Sequence, residues 1–178
     1  MKIICLGDSN TYGYDPRGYF GGRYDHPWPE LLAAETGWNV KNEGMNGREI
    51  PAKAVDFPAD TDLLILMLGT NDLLQGSAPE AICAKMERFL NTLPIGREKL
   101  LLMAPPPVQL GEWVQDDSLI EAVQALANGL EALAKRLNIR FLNPAGWNLS
   151  LAYDGVHLTE EGHRAFAANL MNYLNKGE

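Results

Sequence analysis

Residues 63–72 read Leu-Leu-Ile-Leu-Met-Leu-Gly-Thr-Asn-Asp, six apolar residues followed at once by small and polar ones. A short run of this composition is typical of a buried strand, whereas a membrane-spanning helix needs about 20 apolar residues. Similar short runs recur at Ile3–Leu6, at Val40 within Trp38–Asn42, at Leu100–Met103 and at Ile139–Leu142. The pattern predicts five buried strands.

Segments with helical spacing separate these strands. The clearest is a stripe of apolar residues at i, i+3 and i+4 spacing from Leu119 to Leu137. Further helices are predicted over Trp28–Glu35, Pro79–Leu93 and Glu160–Leu174. Strands that alternate with helices form a parallel sheet covered on both faces, so we predict a three-layer α/β fold of the doubly wound kind.

Composition and charge limit the choice of partners. The 178 residues contain no linker, internal repeat or low-complexity tract, so a single domain over residues 1–178 is expected. Asp and Glu number 23 against 15 Lys and Arg, which gives a formal net charge of −8. Such a surface repels phosphate backbones and anionic lipid, so neither a nucleic acid nor a membrane is an expected partner.

Two features bear on the cellular compartment. The apolar run after Lys2 stops at Gly7-Asp8, before a signal-peptide core can form, so we expect the protein to stay in the cytoplasm. The two cysteines, Cys5 and Cys83, lie in apolar or helical patterns, and no C-x-x-C or Cys/His cluster predicts a zinc site.

The carboxyl ends of the predicted strands carry the reactive residues. Ligands of doubly wound folds bind at these ends. Four of the five strands are followed there by small residues beside polar ones, in the segments Gly7–Asn10, Asn42–Arg48, Gly69–Asp72 and Tyr153–Leu158. Each segment alone is typical of an ordinary turn, but their convergence indicates a hydrolase site.

The residue types in these segments suit nucleophilic catalysis. A serine needs a base to take its proton, and the base needs a third group to orient it. Among the three histidines, His157 follows a strand end, with Asp154 three residues before it. His163 lies inside the last predicted helix and is expected to be structural, and His26 lies in a loop. We therefore predict Ser9 as nucleophile, His157 as base and Asp154 as the orienting acid.

Ester hydrolysis also requires donors that face the developing oxyanion. The backbone N–H of Ser9, at a strand-to-helix turn, is one such donor. The N–H of Gly47 is a second, because glycine tolerates unusual backbone angles. The side-chain amide of Asn71 is the third, although it also suits a turn that caps the strand.

Two alternatives remain. Asp8, Asp72, Asp154 and His157 are potential metal ligands, and a metal-dependent phosphohydrolase would use them together. That hypothesis leaves the serine and the oxyanion donors without roles, whereas in the serine hypothesis Asp8 and Asp72 fix turns. A ligand-binding module derived from a decayed hydrolase is the other alternative, and it should lack at least one of the three triad positions.

The four segments together resemble the signature blocks of the SGNH hydrolases, also called the GDSL esterase/lipase family, in the family's order along the chain. The resemblance implies a flavodoxin-like three-layer α/β/α sandwich with a five-stranded parallel sheet. It also implies a Ser-His-Asp acylhydrolase without metal or other cofactor, with the triad on Ser9, His157 and Asp154. The oxyanion donors then fall on Ser9, Gly47 and Asn71.

Within that family, the chain is most similar to the bacterial arylesterase and acyltransferase-like branch. Asn10 stands where the GDSL form has leucine, and because it follows the nucleophile we expect it to leave the triad undisturbed. The stretch from Arg48 to Asp62 is shorter than the insert that this branch often carries.

The expected substrate is a small-molecule ester. Short connections and no large lid segment predict an open site for acetyl to butyryl groups, while aryl esters, sugar acetates and thioesters all remain possible. Side chains that either line the pocket or cover the core are Tyr12, Tyr14, Tyr19, Phe20, Val108, Leu110 and Trp113. Exposed aromatic residues near the site are compatible with a homo-oligomer.

Overall fold

Strands and helices alternate along the chain as the hydrophobic pattern predicts. The computed structural model describes residues 1–18, 21–53 and 55–176. The strands are β1 Lys2–Gly7, β2 Tyr14–Asp15, β3 Gly22–Arg23, β4 Asn39–Gly44, β5 Leu63–Met67, β6 Leu100–Met103 and β7 Arg140–Leu142. The helices are α1 Ser9–Tyr12, α2 Trp28–Thr36, α3 Thr70–Leu74, α4 Pro79–Leu90, α5 Asp117–Leu137 and α6 Glu160–Lys176.

The main sheet has five parallel strands in the order β4-β1-β5-β6-β7. Counted along the chain, the order is 2-1-3-4-5, which is the flavodoxin-like order and confirms the predicted fold class. The chain reverses its direction of strand addition between β1 and β5. In folds of this order, that switch point is where a ligand binds at the carboxyl ends of the strands.

Alternate residues of the central strands face two separate cores. Leu64 and Leu66 of β5 pack with α4 and α5 on one face, where Leu126 is fully buried. Ile65 and Met67 pack with α2 and α6 on the other, against Phe166. Burial of each such side chain contributes roughly 1.5–3 kcal/mol, which explains why these strands are apolar without alternation.

The differences from the predicted elements are local. Helices α1 and α3 and the antiparallel β2/β3 pair are too short for hydrophobic periodicity to indicate them. Helix α5 begins at Asp117, before the apolar stripe, because the Asp116 carboxylate accepts a hydrogen bond from the Ser118 N–H. None of the helices described combines the length and apolar composition needed to cross a membrane.

Candidate active site

Three of the predicted site residues lie just beyond adjacent strands of the sheet. Ser9 is the first residue of α1 after β1, Asn71 lies in α3 after β5, and Gly47 follows β4. Because β1 is hydrogen-bonded to both β4 and β5, their carboxyl ends meet at one edge. This edge includes the switch point between β1 and β5.

The turn that carries Ser9 is held by the preceding carboxylate. Asp8 is the N-cap of α1, and its Oδ1 accepts a hydrogen bond of 3.0 Å from the Asn10 N–H. Burial raises the pKa of the Asp8 carboxyl to about 6, although the Asn10 N–H and the nearby His157 oppose this shift. The backbone N–H of Ser9 donates to none of the described residues, so it is available to an oxyanion.

Ser9, His157 and Asp154 form a continuous hydrogen-bonded chain. His157 Nε2 lies 2.9 Å from Ser9 Oγ, and His157 Nδ1 lies 2.6 Å from Asp154 Oδ2. The other Asp154 oxygen accepts the backbone N–H groups of Val156 at 2.9 Å and His157 at 3.0 Å. One carboxylate therefore shapes the turn with one oxygen and orients the imidazole with the other.

The charge of Asp154 follows from these contacts. Burial raises the pKa of its carboxyl, but hydrogen bonds from the His157 ring and from the backbone N–H groups of His157 and Val156 outweigh burial. The net pKa is below the ordinary value, so Asp154 is an anion at neutral pH. An anion beside Nδ1 favours the tautomer with its proton there, which leaves Nε2 free to accept the Ser9 proton.

A second loop holds the turn before His157. Three backbone N–H groups of this loop, which follows β6, donate to consecutive carbonyls of the turn, in the pairs Gln109 to Gly155, Glu112 to Tyr153 and Trp113 to Asp154. Gly155 has φ of +80°, and a Cβ there would lie 2.1 Å from the Gln109 carbonyl oxygen. Only glycine allows this approach.

Gly47 and Asn71, the two other predicted oxyanion donors, form one side of the pocket, the oxyanion side. Gly47 has φ of +71°, a backbone angle that favours glycine, and its N–H donates to no acceptor in the part of the chain that the structure describes. Asn71 Nδ2 donates to the Arg48 carbonyl at 3.1 Å. An amide nitrogen carries two hydrogens, so one remains for an oxyanion.

A buried charge connects this side to the rest of the fold. Asp72, whose side chain is fully buried, accepts the Ile50 N–H at 3.0 Å with Oδ2 and the Lys85 ammonium at 2.7 Å with Oδ1. Lys85 also binds Glu49 at 2.8 Å. Burial lowers the pKa of Lys85, but the carboxylates of Asp72 and Glu49 together raise it by more. The net pKa is therefore above its ordinary value. The network ties the Gly47 loop to α3 and α4.

The metal-site alternative is not supported. Among the described residues, no group of three His, Cys, Asp or Glu side chains is arranged to hold a metal ion. The residues of that alternative, Asp8, Asp72, Asp154 and His157, therefore do not form such a group. Both Asp72 oxygens accept hydrogen bonds from nitrogen donors, and Asp8 caps α1, so the two carboxylates hold turns and loops.

A cavity of about 230 Å³ is lined by Ser9 and His157 and by the predicted oxyanion donors Gly47 and Asn71. Besides Ser9, His157, Gly47 and Asn71, its lining includes Tyr14, Asn46, Thr70, Leu74, Trp113 and Val156. The Tyr14 and Trp113 rings lie 4.7 and 5.2 Å from the His157 ring, between centroids. Two aromatic walls therefore flank the imidazole.

The other side chains proposed as pocket walls have different environments. Val108 is buried in the core beside α5, and Leu110 is exposed. The Tyr12 ring lies under the Arg23 guanidinium, 5.2 Å from its centre. Tyr19 and Phe20 lie outside the described residues.

The two remaining histidines are in the expected kinds of environment. His163 is fully buried in α6, and its Nδ1 accepts a hydrogen bond of 3.3 Å from the Trp28 N–H. Burial, helped by Arg23 and His157, lowers the pKa of His163 to about 4. His26 is exposed.

Sequence reasoning missed two residues of this site. Lys85 gave no signal because a lone lysine in a helix is usually a solvated side chain. Asn10 was expected only to leave the triad undisturbed, yet its amide is buried and hydrogen-bonded to residues 156 and 158. The only sequence signal for Asn10 was its difference from the leucine of the GDSL form.

Comparisons with known proteins bear on the family and the fold of the chain. A sequence profile of the GDSL-like lipase/acylhydrolase family matches residues 5–165. The solved structure of an aryl esterase from M. smegmatis is 25% identical, with a TM-score of 0.82 over 98% of each chain. A carbohydrate acetylesterase family member from Sinorhizobium meliloti is 26% identical, with a TM-score of 0.80 over 99% of this chain and 98% of that chain. No curated protein matched the sequence significantly.

Proposed function

This chain belongs to the GDSL-like lipase/acylhydrolase family, and we propose that it is a serine esterase that cleaves short-chain acyl esters through an acyl-enzyme. The observation that carries the proposal is the pair of contacts made by His157, 2.9 Å to Ser9 Oγ and 2.6 Å to Asp154 Oδ2. A base in contact with both a hydroxyl and an orienting carboxylate is what activation of a serine requires.

Acylation is the first half of the proposed reaction. Ser9 Oγ forms a bond to the ester carbonyl carbon while its proton passes to His157 Nε2. The carbonyl oxygen becomes an oxyanion that accepts hydrogen bonds from the N–H groups of Ser9 and Gly47 and from the Asn71 amide. The bond to the alcohol oxygen then breaks, and the alcohol departs with the proton from His157.

Deacylation repeats the same steps with water. His157 takes a proton from a water molecule, whose oxygen attacks the carbonyl carbon of the acyl-Ser9 ester. The same donors hold the second oxyanion. The bond to Ser9 Oγ breaks, the proton returns to this oxygen from His157, and the carboxylic acid leaves.

The pocket supports a short acyl group. Its volume of about 230 Å³ must hold the reacting carbonyl as well as part of the alcohol. This space suits an acetyl to butyryl group better than a long fatty-acyl chain. Because His157 gives its proton to the alcohol, the alcohol must leave on the side where Tyr14 and Trp113 flank the imidazole. Because aromatic rings pair with one another in stacked or edge-to-face geometry, we propose an aryl alcohol for this side of the pocket.

The exposed surface around the pocket supports the same preference. Large exposed apolar side chains of the described residues, apart from Met1, lie on segments that carry site residues: Met45, Leu74, Leu110, Trp113 and Tyr153. Exposed apolar groups gathered in one region are typical of a binding surface. An aryl or other apolar alcohol would bury part of this surface on binding.

Hydrolysis of p-nitrophenyl esters of increasing acyl length tests the proposal, with EDTA present. We expect activity that survives EDTA, falls beyond butyrate and is lost in Ser9→Ala by about 10⁴–10⁶ in kcat. Benzyl acetate and acetylated sugars, which are both esters of unactivated alcohols, are assayed in parallel to test the alcohol preference, and we expect lower kcat/KM for the sugars.

Two outcomes would contradict the proposal. Activity that EDTA abolishes and Ser9→Ala retains would replace the triad by a metal-dependent mechanism. Acetylated sugars that react faster than benzyl acetate would keep the esterase and reverse the alcohol preference. Ser9→Thr is the matched control, because it changes the same position but keeps a hydroxyl. Activity retained in Ser9→Thr and lost in Ser9→Ala would assign the loss to the missing nucleophile.

A further inference from the structure

The side chain of Asn10 bridges the two residues on either side of His157. Asn10 Oδ1 accepts the Leu158 N–H at 2.8 Å, and Asn10 Nδ2 donates to the Val156 carbonyl at 3.1 Å. The side chain is buried, so water does not compete for these bonds. A primary amide is the side-chain group that supplies a donor and an acceptor side by side.

The segment Val156–Leu158 ends the turn that carries His157, and it directs its Val156 carbonyl and its Leu158 N–H toward Asn10 on one side. On its other side, the segment pairs with Leu151 through an isolated bridge, and the Ala152 N–H donates to the His157 carbonyl at 2.7 Å. The backbone at His157 is therefore held from both sides, by a chain segment and by Asn10.

The position of Asn10 gives the bridge its significance for catalysis. Asn10 follows Ser9 in α1, so it links the backbone of the nucleophile to the backbone of the base, 148 residues later at Leu158. The contact of 2.9 Å between Ser9 Oγ and His157 Nε2 joins the same two segments of the chain. The bridge therefore fixes the backbone beside His157 relative to the turn of Ser9, independently of the contact between the two reacting side chains.

We infer that Asn10 is a positioning residue, whose amide fixes the imidazole of His157 at the distance at which it can take the proton of Ser9. The inference rests on the proposed function, because it assigns Ser9 and His157 as nucleophile and base. A misplacement of about 1 Å can cost on the order of 10²-fold in rate. Loss of the bridge should therefore lower kcat by about 10- to 100-fold and leave KM within about twofold.

A purely structural role predicts a different result. Loss of two buried hydrogen bonds lowers the stability of the fold wherever they lie. If stability were the whole effect, the folded fraction of the variant would have wild-type kcat at a temperature well below its melting point. A matched destabilised protein separates the two roles, and Leu130→Ala provides it, because Leu130 is fully buried in α5 and does not line the pocket.

The test combines kinetics with proton NMR of the imidazole rings. Asn10→Leu removes both the donor and the acceptor. Asn10→Asp keeps the acceptor for the Leu158 N–H, so it is the second variant, to be used if Asn10→Leu does not fold. The chain has only three histidines, so comparison with His157→Gln assigns the His157 ring signals. We expect 10- to 100-fold lower kcat and an altered His157 titration in Asn10→Leu, a smaller loss in Asn10→Asp, and kcat within threefold in Leu130→Ala.

The outcomes separate this inference from the proposed function. An Asn10→Leu protein with kcat within threefold and an unchanged His157 titration would overturn the positioning role. So would an equal loss of kcat in Leu130→Ala. If the wild type shows no activity that depends on Ser9, the proposed function fails, and the His157 titration alone then decides: a change on loss of Asn10 supports the bridge, and no change rejects it.

Discussion

The two sides of the site are held in place by different forces. On the triad side, groups that are shielded from water hold the turn at His157: the buried Asp154 anion within the turn, the backbone of the loop after β6 and the amide of Asn10 in α1. On the oxyanion side, the loop of Gly47 is held by the amide of Asn71 and by a charged network around Asp72 and Lys85.

The difference predicts how each side responds to change. Hydrogen bonds that are fully buried are shielded from salt, and loss of one partner leaves the other unpaired. The Lys85 side chain is 30% exposed, so water and salt partly screen its ion pairs. The geometry of the base should therefore be more rigid than that of the oxyanion donors.

The largest expected effect is on the triad side. Asp154→Asn keeps an oxygen for the backbone N–H groups of Val156 and His157, so the turn should fold. An amide beside Nδ1 favours the tautomer that places the proton on Nε2, where it blocks transfer from Ser9. We expect kcat to fall by about 10⁴ in a protein that still folds. A fall of less than tenfold, measured with p-nitrophenyl acetate, would contradict the role of Asp154.

On the oxyanion side, Asn71→Ala removes one of three expected donors and the bond to the Arg48 carbonyl. We expect kcat to fall by about 10²–10³ with little change in KM, because the lost bond strengthens only in the transition state. Asn71→Asp is the matched variant, since it keeps the size of the side chain but replaces the donor by a negative charge. A loss below tenfold in Asn71→Ala would remove Asn71 from the oxyanion site.

Buried titratable groups lie beside the triad and give a test by pH. The raised pKa of Asp8, about 6, contributes stability that is present below pH 4 and lost as the pH rises through 6. The lowered pKa of His163, about 4, contributes stability that is present above pH 6.5 and lost as the pH falls through 4. Between pH 4 and 6 the two contributions oppose each other.

Single variants should expose the two slopes. In Asp8→Asn, His163 remains, and the free energy of unfolding should fall by about 3 kcal/mol as the pH decreases from 6.5 to 4. In His163→Asn, Asp8 remains, and the free energy of unfolding should rise by a similar amount over the same interval. Urea unfolding at a series of pH values measures both. Parallel curves for the two variants would show that neither group is shifted.

The smallest effect is expected for Lys85, which acts on the oxyanion donors through Asp72. Lys85→Met leaves the buried carboxylate of Asp72 without a counter-charge, so the loop that carries Gly47 should loosen and kcat should fall by about tenfold. Lys85→Arg should restore most of the activity. In Lys85→Met/Asp72→Asn no unpaired charge remains, so stability and kcat should both recover in part. Losses of Lys85→Met and Asp72→Asn that simply add in the double variant would reject the coupling.

Much of the fold was predictable because its signals are local. The run Leu63–Leu68 indicates a strand by composition alone, since a strand buried on both faces has no polar positions. The stripe from Leu119 to Leu137 indicates a helix by its period. Helices α1 and α3 were not predicted, because four or five residues are too few to show a helical period.

The site divides in the same way. Ser9, Gly47 and Asn71 follow strand ends closely, whereas Asp154 and His157 lie in a turn well after β7, just before α6. The sequence alone determined the order of these five residues and their residue types. The sequence also determined Asp154 as the partner of His157, because three residues in one turn place a carboxylate beside a ring. These contacts depend on the local chain and on the rule that parallel strands end at one edge.

Only the tertiary structure decided what holds these residues at their distances. The bridge from Asn10 to Val156 and Leu158, the loop of Trp113 over the 153–155 turn and the contact from Lys85 to Asp72 all join segments that are distant in sequence. Their partners are backbone groups or a single charge, and every residue carries the same backbone groups. A contact whose partner has no distinctive side chain leaves no pattern in the sequence, so it becomes visible only when the folded chain brings the two groups together.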